Sequence, residues 1–323
     1  MKLYFKNFLL LLVYFPYRWL IQTLPFRISY KLATLLGNIQ YLFASPKQKH
    51  QILTNLNLVF GDKFNLQEKK TILKRFYATK HRILMDLFIM GRKDYGKYFQ
   101  ACKVEGLNYI DEVLSRGKGL VVITFHFGPV NLVSAYLAYR GYKITPLLVL
   151  PIHLKGTSPW VSQKVLDIKS SIWKTRGNYQ IVTSLKSLLS LVRIQYECLK
   201  QNQIIDATGD GALGKRFILV DFFNVKLKVP LGPVLMAAKS GAGIVPGFVI
   251  LQKDFTQYFV FKEPIRVGGE DEEILKGAVQ EYIRHLEYYI SQYPDYWTHW
   301  ARMEKEGFEN GVPVMQVIPG ITD

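Results

Sequence analysis

Leu120–Arg140, with a glycine at either side, constrains this chain more than any other stretch: GLVVITFHFGPVNLVSAYLAYRG. Leu120–Thr124 is short, apolar and β-branched, the pattern of an interior strand. Pro129 marks a helix start, because a first-turn residue needs no N–H. Gly141 suits a left-handed C-cap. The spacing therefore predicts a helix running to about Arg140. It puts His126 at the carboxyl end of a strand and Asn131 in the first helical turn. In open α/β sheets ligands bind at that rim.

A histidine placed there can take a proton from an attacking hydroxyl. A polar group in the adjacent helical turn can hold its second ring nitrogen and fix the tautomer. The helix N-terminus offers free N–H groups to an anion or oxyanion. The competing reading is a histidine that caps a helix or is satisfied by backbone.

A second stretch repeats the pattern. Gln203-Ile204-Ile205-Asp206-Ala207-Thr208-Gly209-Asp210-Gly211 is a short apolar strand delivering polar residues at its end, with Lys215 and Arg216 following. Asp210 and Asp206 are candidates for ordering the site or its substrate, and Lys215 and Arg216 for holding phosphate charge. Asp-Gly and Thr-Gly-Asp are equally good turn chemistry. Val229-Pro230-Leu231-Gly232-Pro233 opens a third element, a helix that Gly241 ends before the strand Gly243–Leu251.

HFGPVN at His126–Asn131 resembles the H-x4-D/E motif of the lysophospholipid acyltransferase superfamily. The likeness is nearer to the branch of lipid A late acyltransferases, the lauroyl and myristoyl transferases. The Thr-Gly-Asp turn, the Pro-Leu-Gly-Pro turn and the closing Pro294…Trp297…Arg302 segment resemble that family's elements in the same order, from about Leu24 to Arg302. The resemblance implies an α/β fold: a mixed central sheet with helices on both faces, plus N-terminal membrane-associated helices. It implies an O-acyltransferase carrying an acyl chain from an acyl-thioester to a lipid hydroxyl, with His126, Asn131 and Asp210 as catalytic residues. Phe127, Gly128, Arg176, Asp206, Lys215 and Arg216 are then the substrate contacts, the N–H of Gly128 facing the oxyanion. No metal and no bound cofactor is implied; acyl carrier protein and acyl-CoA both fit as donor. The setting implied is the cytoplasmic face of a bacterial inner membrane.

The sequence departs from the family at two places. Asn131 stands where the family has an acid, and Leu150 where it often has an arginine. Three outcomes stay open: a slower enzyme, an enzyme using Asp206 or Asp210 instead, or a non-catalytic, lipid-binding relative. A lipid hydrolase has little support, since no G-x-S-x-G occurs.

Composition bounds the partners. The 323 residues carry a net charge of +17, which calls for an anionic partner. With no zinc-finger spacing and no long basic arm, an aromatic-rich N-terminus favours lipid over nucleic acid. Cys102 and Cys198 are the only cysteines, so a disulfide framework is not expected.

The chain reads as a membrane-associated helical region over 1–45, an acyltransferase-like α/β domain over 46–305 and a polar tail over 306–323. In the first region Phe8–Phe15 is too short to span a bilayer. It fits an interfacial helix with Tyr14, Tyr17 and Trp19 at head-group depth; a single span or a helix packed only on the domain are the alternatives. The next amphipathic segment has Ile28, Leu32, Leu35 and Leu36 on one side. His81 and Asp86, on a long helix, read as solvated or structural.

Overall fold

The computed structural model describes residues 2–318 other than 152, 178, 183 and 184. Its strands are β1 Lys103–Glu105, β2 Leu120–Thr124, β3 Ile144–Val149, β4 Gln180–Val182, β5 Ile204–Thr208, β6 Phe217–Phe222, β7 Val225–Pro230, β8 Gly243–Leu251, β9 Gln257–Phe261, β10 Met303–Glu309 and β11 Val312–Val317. Seven of them form one mixed sheet in the order β1-β9-β8-β2-β5-β3-β4. β2 lies parallel to both β5 and β8, and β9 turns back antiparallel on β8.

Both faces of that sheet are covered, and β2 shows why it has no polar side. Its residues alternate across the pleat. Val121 and Ile123 join one apolar cluster and Leu120 and Val122 the other. Glu272–Gln292 covers the first face with Leu275, Val279, Ile283 and Leu286. On the second face the helix Asn131–Tyr139 buries Leu132, Val133 and Leu137. This helix starts two residues later than Pro129, because Gly128 and Pro129 are spent on the turn that leaves β2.

A second sheet, in the order β10-β11-β7-β6, was not foreseen. Two antiparallel hairpins, β6–β7 and β10–β11, join through parallel pairing of β11 with β7. The expected tail is thereby corrected. From Glu306 onward the chain completes β10 and forms β11, which buries Val314, Met315 and Val317. Residues 319–323 lie outside the described residues. The polar look of this stretch came from one solvated face of a hairpin.

The N-terminal region begins with α1, Lys2–Leu12; a widened turn at Val13–Tyr17 around Pro16 leads into α2, Arg18–Thr23. Then come α3, Phe26–Phe43, α4, Pro46–Phe60, and α5, Leu66–Met90. Among the described residues no helix is long and apolar enough to cross a membrane. Tyr14 is buried and Tyr17 half-buried, both edge-on to Phe88 of α5, so of the three anchors expected at head-group depth only Trp19 is exposed.

A buried polar cluster pins this region to the sheet. Asp86 of α5 accepts hydrogen bonds from Tyr30 of α3 at 2.5 Å and from Tyr98 at 3.0 Å, while Gln257 of β9 donates to the Tyr30 hydroxyl at 2.8 Å. Burial pushes the Asp86 carboxyl up to about 7, against the lowering effect of the two tyrosine hydrogen bonds. The folded protein therefore binds a proton that the unfolded chain releases near pH 4. Stability from this group is greatest at low pH and falls as pH rises from about 4 to 7. Asp86→Asn is expected to remove that slope and to leave the variant at least as stable as wild type above pH 7. Urea unfolding of both proteins at pH 5 and pH 8 checks this; an unchanged difference between the two pH values counts against it.

Candidate active site

The register between β2 and β5 pairs Thr124 with Thr208. Gly209 N–H extends the pairing by donating to Thr124 O at 2.7 Å. His126 and Asp210 each lie two residues beyond those paired ends, so parallel strands deliver them side by side. His126 Nδ1 lies 3.0 Å from Asp210 Oδ1, and the His126 amide donates to the same carboxylate at 3.0 and 3.2 Å. The His126 side chain is 32% exposed, whereas that of Asp210 is fully covered.

Asp210 is held as a carboxylate. Burial alone would raise its pKa. The neighbouring His299 and His126 rings, then the hydrogen bonds from His126 and Trp297, outweigh burial and hold it below the usual carboxylate range. An ionised carboxylate only accepts, so Nδ1 carries a proton; in the neutral ring the other nitrogen, Nε2, then keeps its lone pair.

A third segment closes the site from behind. After the last helix the chain runs Pro294-Asp295-Tyr296-Trp297-Thr298-His299-Trp300. Trp297 Nε1 donates to Asp210 Oδ2 at 2.7 Å. Thr298 donates to the His126 carbonyl through N–H at 2.8 Å and through Oγ1 at 3.1 Å. His299, fully buried, donates from Nε2 to the Asp210 carbonyl at 3.0 Å, and its ring packs against His126 at a tilt of 37°, with centroids 4.0 Å apart. Asn55 of α4 anchors the segment by donating to the carbonyls of Trp300 and Met303.

The other residues expected at the site are dispersed. The Asn131 side chain makes no hydrogen bond among the described residues; the main-chain carbonyl of Asn131 accepts from the Tyr179 hydroxyl at 3.1 Å. Phe127 packs against Phe248 and Tyr296 in the core. Gly128 is in the left-handed region, φ 60°, and its N–H donates to Tyr296 O at 2.9 Å rather than facing an oxyanion. The Asn131 N–H is the amide of this turn left without a partner among the described residues. Asp206 is buried beneath the site, accepting from Thr124 at 2.7 Å and from Ser134, with its carboxyl pushed up to about 6 by burial. Arg176 lies over the Tyr95 ring and donates to the carbonyls of Met90 and Arg92. Lys215 and Arg216 are exposed on the loop leading from Asp210 to β6.

Trp297 and His299 were not singled out from sequence, where the closing aromatics read as core. They are core by burial, and they also hold the site. The available signal was their concentration: two of the five tryptophans and one of the six histidines fall within four residues. His126, Asp210 and His299 also bring possible metal-ligand atoms within 4.8 Å of one another. The carboxylate already takes three N–H groups and His299 Nε2 is spent on a carbonyl, which leaves His299 Nδ1 buried without a partner. The arrangement fits a hydrogen-bonded dyad better than a cation cage.

Sequence comparison bears on the chemistry. The family described as bacterial lipid A biosynthesis acyltransferase matches residues 3–303. The chain belongs to this family. It is also similar to curated proteins named phosphatidylinositol mannoside acyltransferase. The one from Mycobacterium tuberculosis is 23% identical over 143 residues, 44% of this chain and 42% of that protein's length. The one from Mycolicibacterium smegmatis is 20% identical over 226 residues, 70% of each chain. The lipid A acyltransferase family match spans every element that builds the site, from Asn55 to His299.

Proposed function

We propose that this member of the lipid A acyltransferase family moves a fatty acyl chain from an acyl-thioester to a hydroxyl of a membrane lipid, with His126 as general base. The observation that carries the reading is the His126–Asp210 pair, with a covered carboxylate behind a partly exposed imidazole at the carboxyl ends of two parallel strands. His126 Nε2 takes the proton of the acceptor hydroxyl as its oxygen attacks the thioester carbonyl. A C–O bond forms and a tetrahedral oxyanion results. The intermediate collapses by breaking the C–S bond, and the thiolate leaves with the proton held on His126. Asp210 stabilises the imidazolium between those two transfers.

The N–H of Asn131, at the start of its helix, is the donor available to the oxyanion. Lys215 and Arg216, on the Asp210 loop, suit the phosphate of a lipid head group or of a carrier-bound donor. Acyl carrier protein and acyl-CoA both fit that charge, and the cytoplasmic face of the inner membrane is the setting we favour. Asn131 and Leu150 spoke for a non-catalytic lipid-binding relative. That reading loses its main support once the carboxylate comes from Asp210.

The test is acyl transfer by membranes containing the full-length protein, with pooled labelled acyl-carrier and acyl-CoA donors, followed by lipid extraction. A labelled lipid absent from membranes carrying His126→Ala is the expected result, and it identifies the acceptor. Equal labelling with folded His126→Ala would remove His126 from the chemistry. No labelling by wild type would return the lipid-binding reading to first place.

A further inference from the structure

Asp206 is a buried acid that the acyl-transfer steps above do not use. It stands in β5, paired in register with Val122 of β2 and Pro146 of β3. Strand alternation puts its side chain on the face of Ile204, the side covered by the helix Asn131–Tyr139. Two hydroxyls meet it there. Thr124 donates to Oδ1 at 2.7 Å, and Ser134 donates to Oδ2. All three side chains are buried, and no basic side chain pairs with the acid among the described residues. Parallel strands covered on both faces are ordinarily apolar throughout. A carboxyl without a cation at such a position costs stability. Packing alone therefore does not explain Asp206; what it holds together does.

Its two partners stand at the two ends of the turn that carries His126. Thr124 ends β2, two residues before His126. Ser134 lies in the first turn of the following helix, three residues after Asn131, which begins it. One carboxylate thus bridges the strand end and the helix start, with residues 125–130 looping between them. Tyr179 adds a restraint on the helix side. Its hydroxyl donates to the Asn131 carbonyl at 3.1 Å and lies against Ser134. His126 follows the strand and the Asn131 N–H belongs to the helix, so their separation depends on how strand and helix are tied. We propose that Asp206 is a positioning residue: its two oxygens clamp the end of β2 to the helix Asn131–Tyr139 and so hold His126 and the Asn131 N–H at the spacing that acyl transfer needs. The purpose of the clamp rests on the acyl-transfer reading; the clamp itself rests on the hydrogen bonds alone. Asp206 acts through Thr124 and Ser134 and needs no contact with substrate.

Three variants of the full-length protein test this. Thr124→Val/Ser134→Ala/Asp206→Leu replaces the whole clamp by apolar groups of similar shape. Removing all partners together leaves no hydroxyl unmet, so its stability in urea is expected to match or exceed that of wild type. Its kcat is expected to fall about 10²-fold with KM unchanged, the size of effect that a displacement near 1 Å produces. Asp206→Asn keeps an oxygen for one hydroxyl and offers an NH2 to the other, so it is expected to keep kcat near wild type. Ser134→Ala opens the helix end alone and decides if the triple variant does not fold: a kcat roughly tenfold lower at unchanged KM is expected, and wild-type kinetics overturns the proposal. A second readout needs no turnover. Amide hydrogen exchange in the peptide spanning residues 125–134 is expected to quicken about tenfold in the triple variant and to stay as in wild type in Asp206→Asn. Unchanged exchange in the folded triple variant overturns the clamp. Faster exchange with wild-type kcat, or a loss confined to KM, overturns the positioning role. If wild type itself transfers no acyl group, the acyltransferase reading fails, and exchange alone decides whether Asp206 holds the turn.

Discussion

Asp210→Asn is expected to lower the turnover of acyl transfer by roughly 10³- to 10⁴-fold, the loss seen when the carboxylate behind a catalytic histidine becomes an amide. The wild-type carboxylate accepts from the His126 amide, His126 Nδ1 and Trp297 Nε1. An asparagine offers one oxygen to these three donors and turns an NH2 toward one of them. The cheapest escape is to move the His126 proton from Nδ1 to Nε2, which takes away the lone pair meant for the acceptor hydroxyl. Stability separates this effect from unfolding. The lowered Asp210 pKa contributes stability above the unfolded carboxylate value near 4, and that contribution is lost only as pH falls through the lower folded value. Wild type and variant should therefore converge in stability only in acid. Asn131→Glu, introduced into the Asp210→Asn protein, is expected not to restore turnover. Rescue by that glutamate, or an Asp210→Asn enzyme within tenfold of wild type, would make the helix position the partner of His126.

Why the carboxylate stands on β5 explains how much of the site could be read from sequence. His126 was legible because one unbroken stretch encodes strand, turn and helix; the strand Leu120–Thr124 has the expected bounds. Asp210 was legible as a residue at a strand end but not as the partner of His126. That partnership depends on β5 lying next to β2 in register Thr124–Thr208, a fact about pairing across 84 positions of sequence. Local spacing pointed to Asn131, five residues away, but that side chain makes no hydrogen bond to the imidazole, whose Nδ1 is paired with Asp210. The same limit hid the second sheet, whose strands from Phe217 to Val317 pair through a parallel contact that no local pattern encodes. Alternation and burial misled in a different way on α3. Counting apolar residues found the amphipathic helix but could not say which side the protein would use. Close approach to α5 at Gly37 selected the small side.

His299 presents the case in which burial and site chemistry compete, and it carries the other large expected effect. Its ring is fully buried, and burial first, then the charge of His126, lowers its pKa well below that of a free histidine. Because Nε2–H is committed to the Asp210 carbonyl, Nδ1 is an acceptor, and that atom is buried with no partner. Leaving such an atom unmet costs about 1–3 kcal/mol. A phenylalanine would fill the same space without that cost, so packing does not explain the histidine. Its hydrogen bond and the contact of its tilted ring with His126 do, by fixing the Asp210 turn and the position of the His126 ring. His299→Phe keeps the ring and loses the bond; His299→Gln keeps a donor and loses the ring contact. We expect turnover to fall by about 10²-fold in the first and by roughly tenfold in the second, with KM unchanged, since a displacement near 1 Å at a catalytic group has effects of that size. Stability gives an independent readout. A histidine held neutral in the folded state makes wild type less stable as pH falls below about 6.5, and His299→Phe should lack that loss. The Asp86 slope runs in the opposite sense over part of this range, so the measurement is the difference between variant and wild type at each pH. Full turnover by His299→Phe would reduce His299 to a core residue; a loss that appears in KM instead would place it against the substrate.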